Sequence, residues 1–342
     1  MYKKRQKMSV ANIGATILAA FVGAIVVPMP TQSQTTIKLE NRAVRDEADR
    51  LLDLGYNQFK EGKPREAIKT WLYAIGYYRR VNDQAAISYT LARVSDAYEV
   101  LGASNAAQDS TIQRIGYANT LKDSGAKLES SNNLVSFKIA ENKLESAAKL
   151  NKETLDLAIA KEQRLNTAIA LNSKGLIAGR YGNHVEALKQ YYASIKIHPL
   201  REAIGEGYTY VNSGDSLMAL DNYKSAIKDY GMALTIARQY RNYPLMSVAS
   251  DRLIAAYLEV PNFYRIEDLL QNRSSLALVM GDQETAAIVQ RYLGDLYLSF
   301  GNLPKARVAY QESYDFAANL EEGASSLALR EAYYKLRALD QM

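Results

Sequence analysis

Imidazole and thiol chemistry find little material in this chain. His184 and His198 are its two histidines, and cysteine is absent. Disulfides, thiol nucleophiles and cysteine metal sites are thereby excluded. A histidine metal site or triad needs carboxylates or a nucleophile at fixed spacing. Neither histidine has them: His184 follows Gly182-Asn183, and His198 precedes Pro199. The acidic pair Glu321-Glu322 reads as the solvated end of a helix. No GxGxxG or GxxxxGK phosphate loop occurs. The 25 tyrosines, against one tryptophan and six phenylalanines, offer amphipathic contact area rather than reactivity. No cofactor, metal ligand set or catalytic residue is expected, and the chain reads as a non-enzyme.

Charge narrows the partners. The formal net charge is +5, but Lys3, Lys4, Arg5 and Lys7 supply four of the cations, and residues 1–30 hold no acid. Residues 31–342 carry 38 positive and 37 negative side chains. A nucleic-acid binder needs a basic stripe on its folded part, so nucleic acid is not expected as a partner.

Those four cations precede Met8–Val27, 20 residues without a charge. At about 1.5 Å per residue such a helix covers roughly 30 Å, the hydrocarbon thickness. Pro28 and Pro30 would stop it. Residues 1–30 therefore read as a signal-anchor or a cleaved signal peptide, with Thr31 and Ser33 flanking a cut before Gln34. Positive charge before the span places the remainder on the non-cytoplasmic side, anchored or exported. Residues 31–41 read as a polar linker.

The rest repeats. Gly55, Gly62, Ala67 and Trp71 recur as Gly175, Gly182, Ala187 and Tyr191, as Gly214, Asp221, Ala226 and Tyr230, and as Gly294, Gly301, Ala306 and Tyr310, separated each time by 7, 5 and 4 positions. Stepping by 40 fills the first column with Ser95, Val135 and Ile254, and the successive steps are 40, 40, 40, 39, 40 and 40. Seven units result. The turn column is Gly62, Gly102, Asn142, Gly182, Asp221, Pro261 and Gly301, and the alanine column is unbroken except at Ile266.

This pattern resembles the tetratricopeptide-repeat (TPR) family over residues 42–342. The resemblance implies an all-α, right-handed superhelix of about seven helical hairpins, with Ser326–Met342 as a capping helix. A period of 40 exceeds the usual one of about 34, which lengthens the helices and is similar to kinesin-light-chain-type arrays. The first helix of the best unit is expected over Glu284–Phe300 and the second over Leu303–Leu320. The small first-column residue is expected to face the alanine of the second helix, with the aromatic filling space toward the next unit.

The resemblance also implies that first helices line a concave groove that takes a peptide or helix of a protein partner. Carried over by register, the groove residues are Asn172 and Arg180, then Tyr208, Val211, Asp215 and Met218, then Asp251, then Arg291 and Asp295, with Asn212 adjacent. Chaperone-tail readers of the family clamp a carboxylate with Lys and Asn. Here Leu52 and Tyr56 stand at those positions and only Lys60 fits. The expected function is a protein-binding scaffold or assembly factor at a membrane. The alternative is an exported accessory, or a cofactor- or metal-delivery subunit of an envelope or photosynthetic membrane enzyme complex. A transcription-regulator array would need a helix-turn-helix, which the sequence does not offer.

Overall fold

The 40-residue period resolves into a 20-residue one. Gly62, Asn82, Gly102, Lys122, Asn142, Glu162 and Gly182 all adopt left-handed backbone, and so do Asp221, Arg241, Gly281 and Gly301 on the same spacing. Each ends one helix and starts the next. The left-handed residue lets its own N–H and that of its successor return to carbonyls of the last turn, as in Asn82 N–H to Arg79 O (3.1 Å) and Asp83 N–H to Tyr78 O (2.9 Å). The successor then caps the next helix. Asp83, Asp123, Asn183, Asn222, Asn242, Asn262, Asp282 and Asn302 each accept the backbone N–H three residues on. Pro261 holds the turn position between two helices without left-handed backbone, because its ring fixes φ. The helix before it ends instead on Val260 at φ −120°.

The computed structural model describes residues 39–198, 203–319 and 326–341. Among them all regular structure is helical. The helices fall into two units. The first holds α1 (Leu39–Lys60), α2 (Pro64–Arg80), α3 (Gln84–Val100), α4 (Ser104–Leu121), α5 (Ser124–Ala140), α6 (Leu144–Ala160), α7 (Arg164–Arg180) and α8 (His184–Ile197). The second holds α9 (Ala203–Ala219), α10 (Tyr223–Gln239), α11 (Tyr243–Glu259), α12 (Phe263–Val279), α13 (Gln283–Ser299), α14 (Leu303–Ala318) and α15 (Ser326–Asp340). Odd and even helices pair into four hairpins in the first unit and three in the second, followed by α15. This is the all-helical TPR-type hairpin architecture, with the longer period taken up in helices of mostly 17 residues.

One packing expectation is corrected. The residue lying against the first-column glycine is the aromatic of the same hairpin, not the alanine. A Cβ on Gly55 would meet the Trp71 ring at 2.4 Å, and one on Gly175, Gly214 or Gly294 would meet Tyr191, Tyr230 or Tyr310 at 2.3–2.5 Å. The reason is antiparallel geometry. Gly214 and Tyr230 are equally far from the turn at Asn222 and so come side by side, whereas Ala226 is too near the turn to reach Gly214. Where the first column is not glycine, its partner shrinks. Ser95 shares a 2.9 Å hydroxyl–hydroxyl bond with Thr111. Val135 stands in register with Asn151, whose Nδ2 donates to Ala170 O on the next hairpin (3.0 Å). Ile254 stands in register with Leu270, which is buried in a core cluster of the second unit against which the half-buried Ile254 packs. The fully buried Trp71, Tyr191, Tyr230 and Tyr310 are thus the keystones of their hairpins.

The membrane localisation expected from the amino terminus is overturned. No helix among the described residues is long and apolar enough to cross a membrane, and the span Met8–Val27 on which the expectation rested lies outside them. The Glu321-Glu322 pair lies outside them as well.

Candidate functional site

Some first helices also pack on that of the next hairpin in the same unit, α5 on α7 and α9 on α11, and α13 packs on the lone last helix α15. Their shared face is where the register placed the groove residues, and the two units use it differently.

In the first unit, Asn172 on α7 is 5% exposed and Arg180, at the helix end, is exposed. One repeat earlier Asn132 occupies the same register on α5. It is also buried and donates from Nδ2 to Asn166 Oδ1 at 3.1 Å. Further toward the amino terminus the face becomes acidic. Asp96 on α3 lies 3.3 Å from Arg93 Nη1, and Glu129 on α5 holds Arg114 at 2.7 Å. Burial pushes the Asp96 carboxyl above the usual carboxylate range. Burial, with the Asp96 charge added, pushes Glu99 up to about 7.

In the second unit, Tyr208 on α9 is buried, which raises its hydroxyl to about 12, and Asn212 is half-buried. Asp215 is the centre of a network. Its Oδ1 accepts from Tyr230 Oη of the same hairpin and from Arg252 Nε on the next first helix, both at 2.7 Å. Asp251 accepts from Arg273 Nε at 2.9 Å, and burial raises its carboxyl although Arg273 opposes the shift. Arg291 bridges Asp295 (3.6 Å) and Glu331 of α15 (3.0 Å). Asp295 repeats the Asp215 arrangement, accepting from Tyr310 Oη and Lys335 Nζ at 2.6 Å each. Burial and the adjacent carboxylate drive the Tyr230 and Tyr310 hydroxyls well above the usual tyrosine range.

The structure thus links Asp215 to Arg252, Asp251 to Arg273, and Arg291 to Asp295. It keeps Asn172 and Tyr208 in the packed interior of their units and leaves Arg180 on the surface. Sequence reasoning missed Arg252, Arg273, Lys335, Asp96, Glu99 and Asn132. Two signals point to some of them. Stepping 40 residues back from Asn172 gives Asn132. The small-residue–Asp dipeptide recurs as Ser95-Asp96, Gly214-Asp215 and Gly294-Asp295. The cations have no such signal: Arg252 sits on the following hairpin, Arg273 on the second helix of the hairpin that carries Asp251, and Lys335 on α15.

Chemically the face offers oriented carboxylates, amides and cations. Among the described residues no group of three or more His, Cys, Asp and Glu side chains is placed to hold a metal ion. His198 closes α8 in a buried position and His184 opens α8, far from any of the networks above in sequence.

No family model and no curated protein matches the chain by sequence. Solved structures do match by fold. A Signal Transduction ATPase with Numerous Domains (STAND) protein with a tetratricopeptide repeat sensor, from Pyrococcus horikoshii, superposes with a TM-score of 0.58 at 18% identity, over 90% of this chain and 50% of that one. The apo form of the quorum sensor NprR from B. thuringiensis gives 0.58 at 13% identity, over 81% and 80%. The Rap conjugation gene regulator of plasmid pLS20, solved in complex with the Phr* peptide, gives 0.56 at 12% identity, over 91% and 80%. At these identities the likeness establishes the TPR-type helical-repeat fold that this chain shares with them.

Proposed function

We propose that the chain is a non-catalytic protein-binding scaffold whose partner, a peptide or a helix, lies along the face formed by the first helices. The observation that carries this reading is the pinned state of Asp215. Its side chain is 39% exposed, yet both of its intramolecular donors converge on Oδ1. Oδ2 is therefore held in place and ready to accept an N–H from a partner, and little side-chain entropy remains to be lost on binding. Asp251 and Asp295, each 34% exposed and cation-held, extend the same acceptor row through the second unit. Tyr208, Asn212 and Arg291 complete the proposed set in the second unit, with Tyr208 shaping the face from beneath. The corresponding face of the first unit, taken by itself, has Arg180 exposed and Asn172 beneath it. A fold shared with a Rap regulator solved with a bound peptide is consistent with this use.

The test is affinity capture with the full chain, followed by mass spectrometry and a binding isotherm on the protein recovered. Arg180→Ala should weaken binding of that protein while leaving thermal unfolding nearly unchanged. Asp215→Asn, which keeps the acceptor but removes the charge opposite Arg252, should weaken binding under conditions where circular dichroism shows it folded. Equal binding by wild type and both variants removes the face from the function.

A further inference from the structure

The outer side of α2 carries a different surface. Arg65, Lys69, Leu72, Tyr73, Gly76, Arg79 and Arg80 are all exposed on this one helix. Their spacing of three and four residues lines them up along a single face. Leu72 and Tyr73 are 47% and 59% exposed, in the middle of the row. Among the described residues none of the four cations forms an ion pair, whereas Lys152 on α6 is paired to Asp156 and Arg307 on α14 to Asp340. Glu66 is the one acid on α2.

Gly76 adds a separate observation. A Cβ built on it meets nothing within 4 Å, so no contact inside the protein requires glycine there. A mid-helix glycine costs about 1 kcal/mol relative to alanine. Unlike Gly55 or Gly175, Gly76 leaves a shallow gap that opens outward, between the apolar pair and the carboxyl-terminal cations.

We infer that this face docks an acidic amphipathic helix of a partner protein. The row from Arg65 to Arg80 is about 22 Å long at the helical rise, the span of four turns of a partner helix. Leu72 and Tyr73 would take its apolar stripe, Gly76 would admit a close approach of its backbone, and the four cations would pair with glutamates or aspartates on its flanks. Charge complementarity selects the occupant. A phosphate backbone would use the cations but leave the central apolar pair without a counterpart, whereas an anionic lipid surface could take both, so vesicle binding is one of the outcomes that would overturn the assignment. This surface lies on the second-helix side of its hairpin and does not depend on the first-helix face proposed above.

The experiment uses the full chain and a synthetic 17-residue helix with leucine and alanine on one face and glutamate along both flanks, read by fluorescence anisotropy. The control peptide has lysine in place of every glutamate. Binding of the acidic peptide should weaken as salt rises. It should fall about tenfold or more in Arg79→Glu/Arg80→Glu and in Arg65→Glu/Lys69→Glu, because these remove complementary charge. Gly76→Leu should weaken it comparably, while Gly76→Ala, which keeps the side chain small, should leave it nearly intact. Circular dichroism confirms that the surface variants stay folded. Absence of binding, equal binding of the lysine peptide, insensitivity to the charge reversals, or tighter capture by duplex DNA or phosphatidylglycerol vesicles than by the acidic peptide would each overturn the inference.

Discussion

Gly294 lies beneath the ring of Tyr310 so closely that a Cβ added to it would stand 2.5 Å from Cδ1 and Cε1 of that ring. The ring has nowhere to go. Tyr310 is fully buried and its hydroxyl is tied to Asp295 at 2.6 Å. Gly294→Ala should therefore destabilise the second unit by about 1–3 kcal/mol, the range for overpacking a tight core. Adding Tyr310→Leu, which copies the Ile254 and Leu270 pairing of the preceding hairpin, should recover part of that loss. Urea unfolding of the single and double variants gives the coupling directly. An unchanged midpoint for Gly294→Ala would mean that the hairpin is not held by this contact.

The Asp295 network should respond unequally to its members. Asp295→Ala leaves the buried Tyr310 hydroxyl without its acceptor and Lys335 without its carboxylate, while Arg291 keeps Glu331. A cost of about 2–4 kcal/mol is expected. Lys335→Met removes only a 41% exposed partner and should cost about 0.5–1 kcal/mol. Its effect should be confined to α15, seen as faster amide exchange in Ser326–Asp340 with α9–α12 unaffected. Global destabilisation by Lys335→Met equal to that of Asp295→Ala would contradict this division.

Glu99 should make the first unit less stable as pH rises. Burial, and secondarily the Asp96 charge, raise its folded-state carboxyl to about 7 from an ordinary value near 4.5. Between these values the folded chain holds the proton that the unfolded chain has lost, so stability falls as pH increases through that window and levels off above it. Glu99→Gln should remove this slope. It should stabilise the protein by about 1–2 kcal/mol above pH 7, allowing for partial solvent screening, and be nearly neutral below pH 4.5. Denaturant melts at pH 5 and pH 8 compare the two proteins. Parallel pH profiles would exclude Glu99 as the titrating group.

Three turns carry avoidable strain. Lys122, Glu162 and Arg241 adopt φ of +54°, +53° and +51°, where a Cβ costs roughly 1–2 kcal/mol. Glycine relieves that strain but adds unfolded-chain entropy of about 0.5–1 kcal/mol. Glu162→Gly and Arg241→Gly should each stabilise by a net of about 0.5 kcal/mol, measurable as a small rise in melting temperature. Asn302→Ala provides the opposite sign, since it deletes the cap on Lys305 N–H, at about 1 kcal/mol.

The amino-acid sequence alone determined the hairpins. The turn residues at 40-residue intervals, the alanines five positions later and the aromatics four positions after those are local signals, because a helix, its stop and its cap are decided within a few residues of chain. Even the weak units around Val135 and Ile254 were readable by counting, since a stacked array tolerates changes of residue type but not of register. Tertiary structure alone decided what each column touches. That Gly214 meets Tyr230 rather than Ala226 follows from antiparallel reflection about the turn. That Asp215 is held by Arg252, Asp251 by Arg273 and Asp295 by Lys335 depends on contacts between helices some 20 to 40 residues apart, where long side chains of either sign look alike in the sequence. Periodicity reports which way a residue faces along its own helix, but the partner it finds is set by the neighbouring helix, and only packing brings the two together.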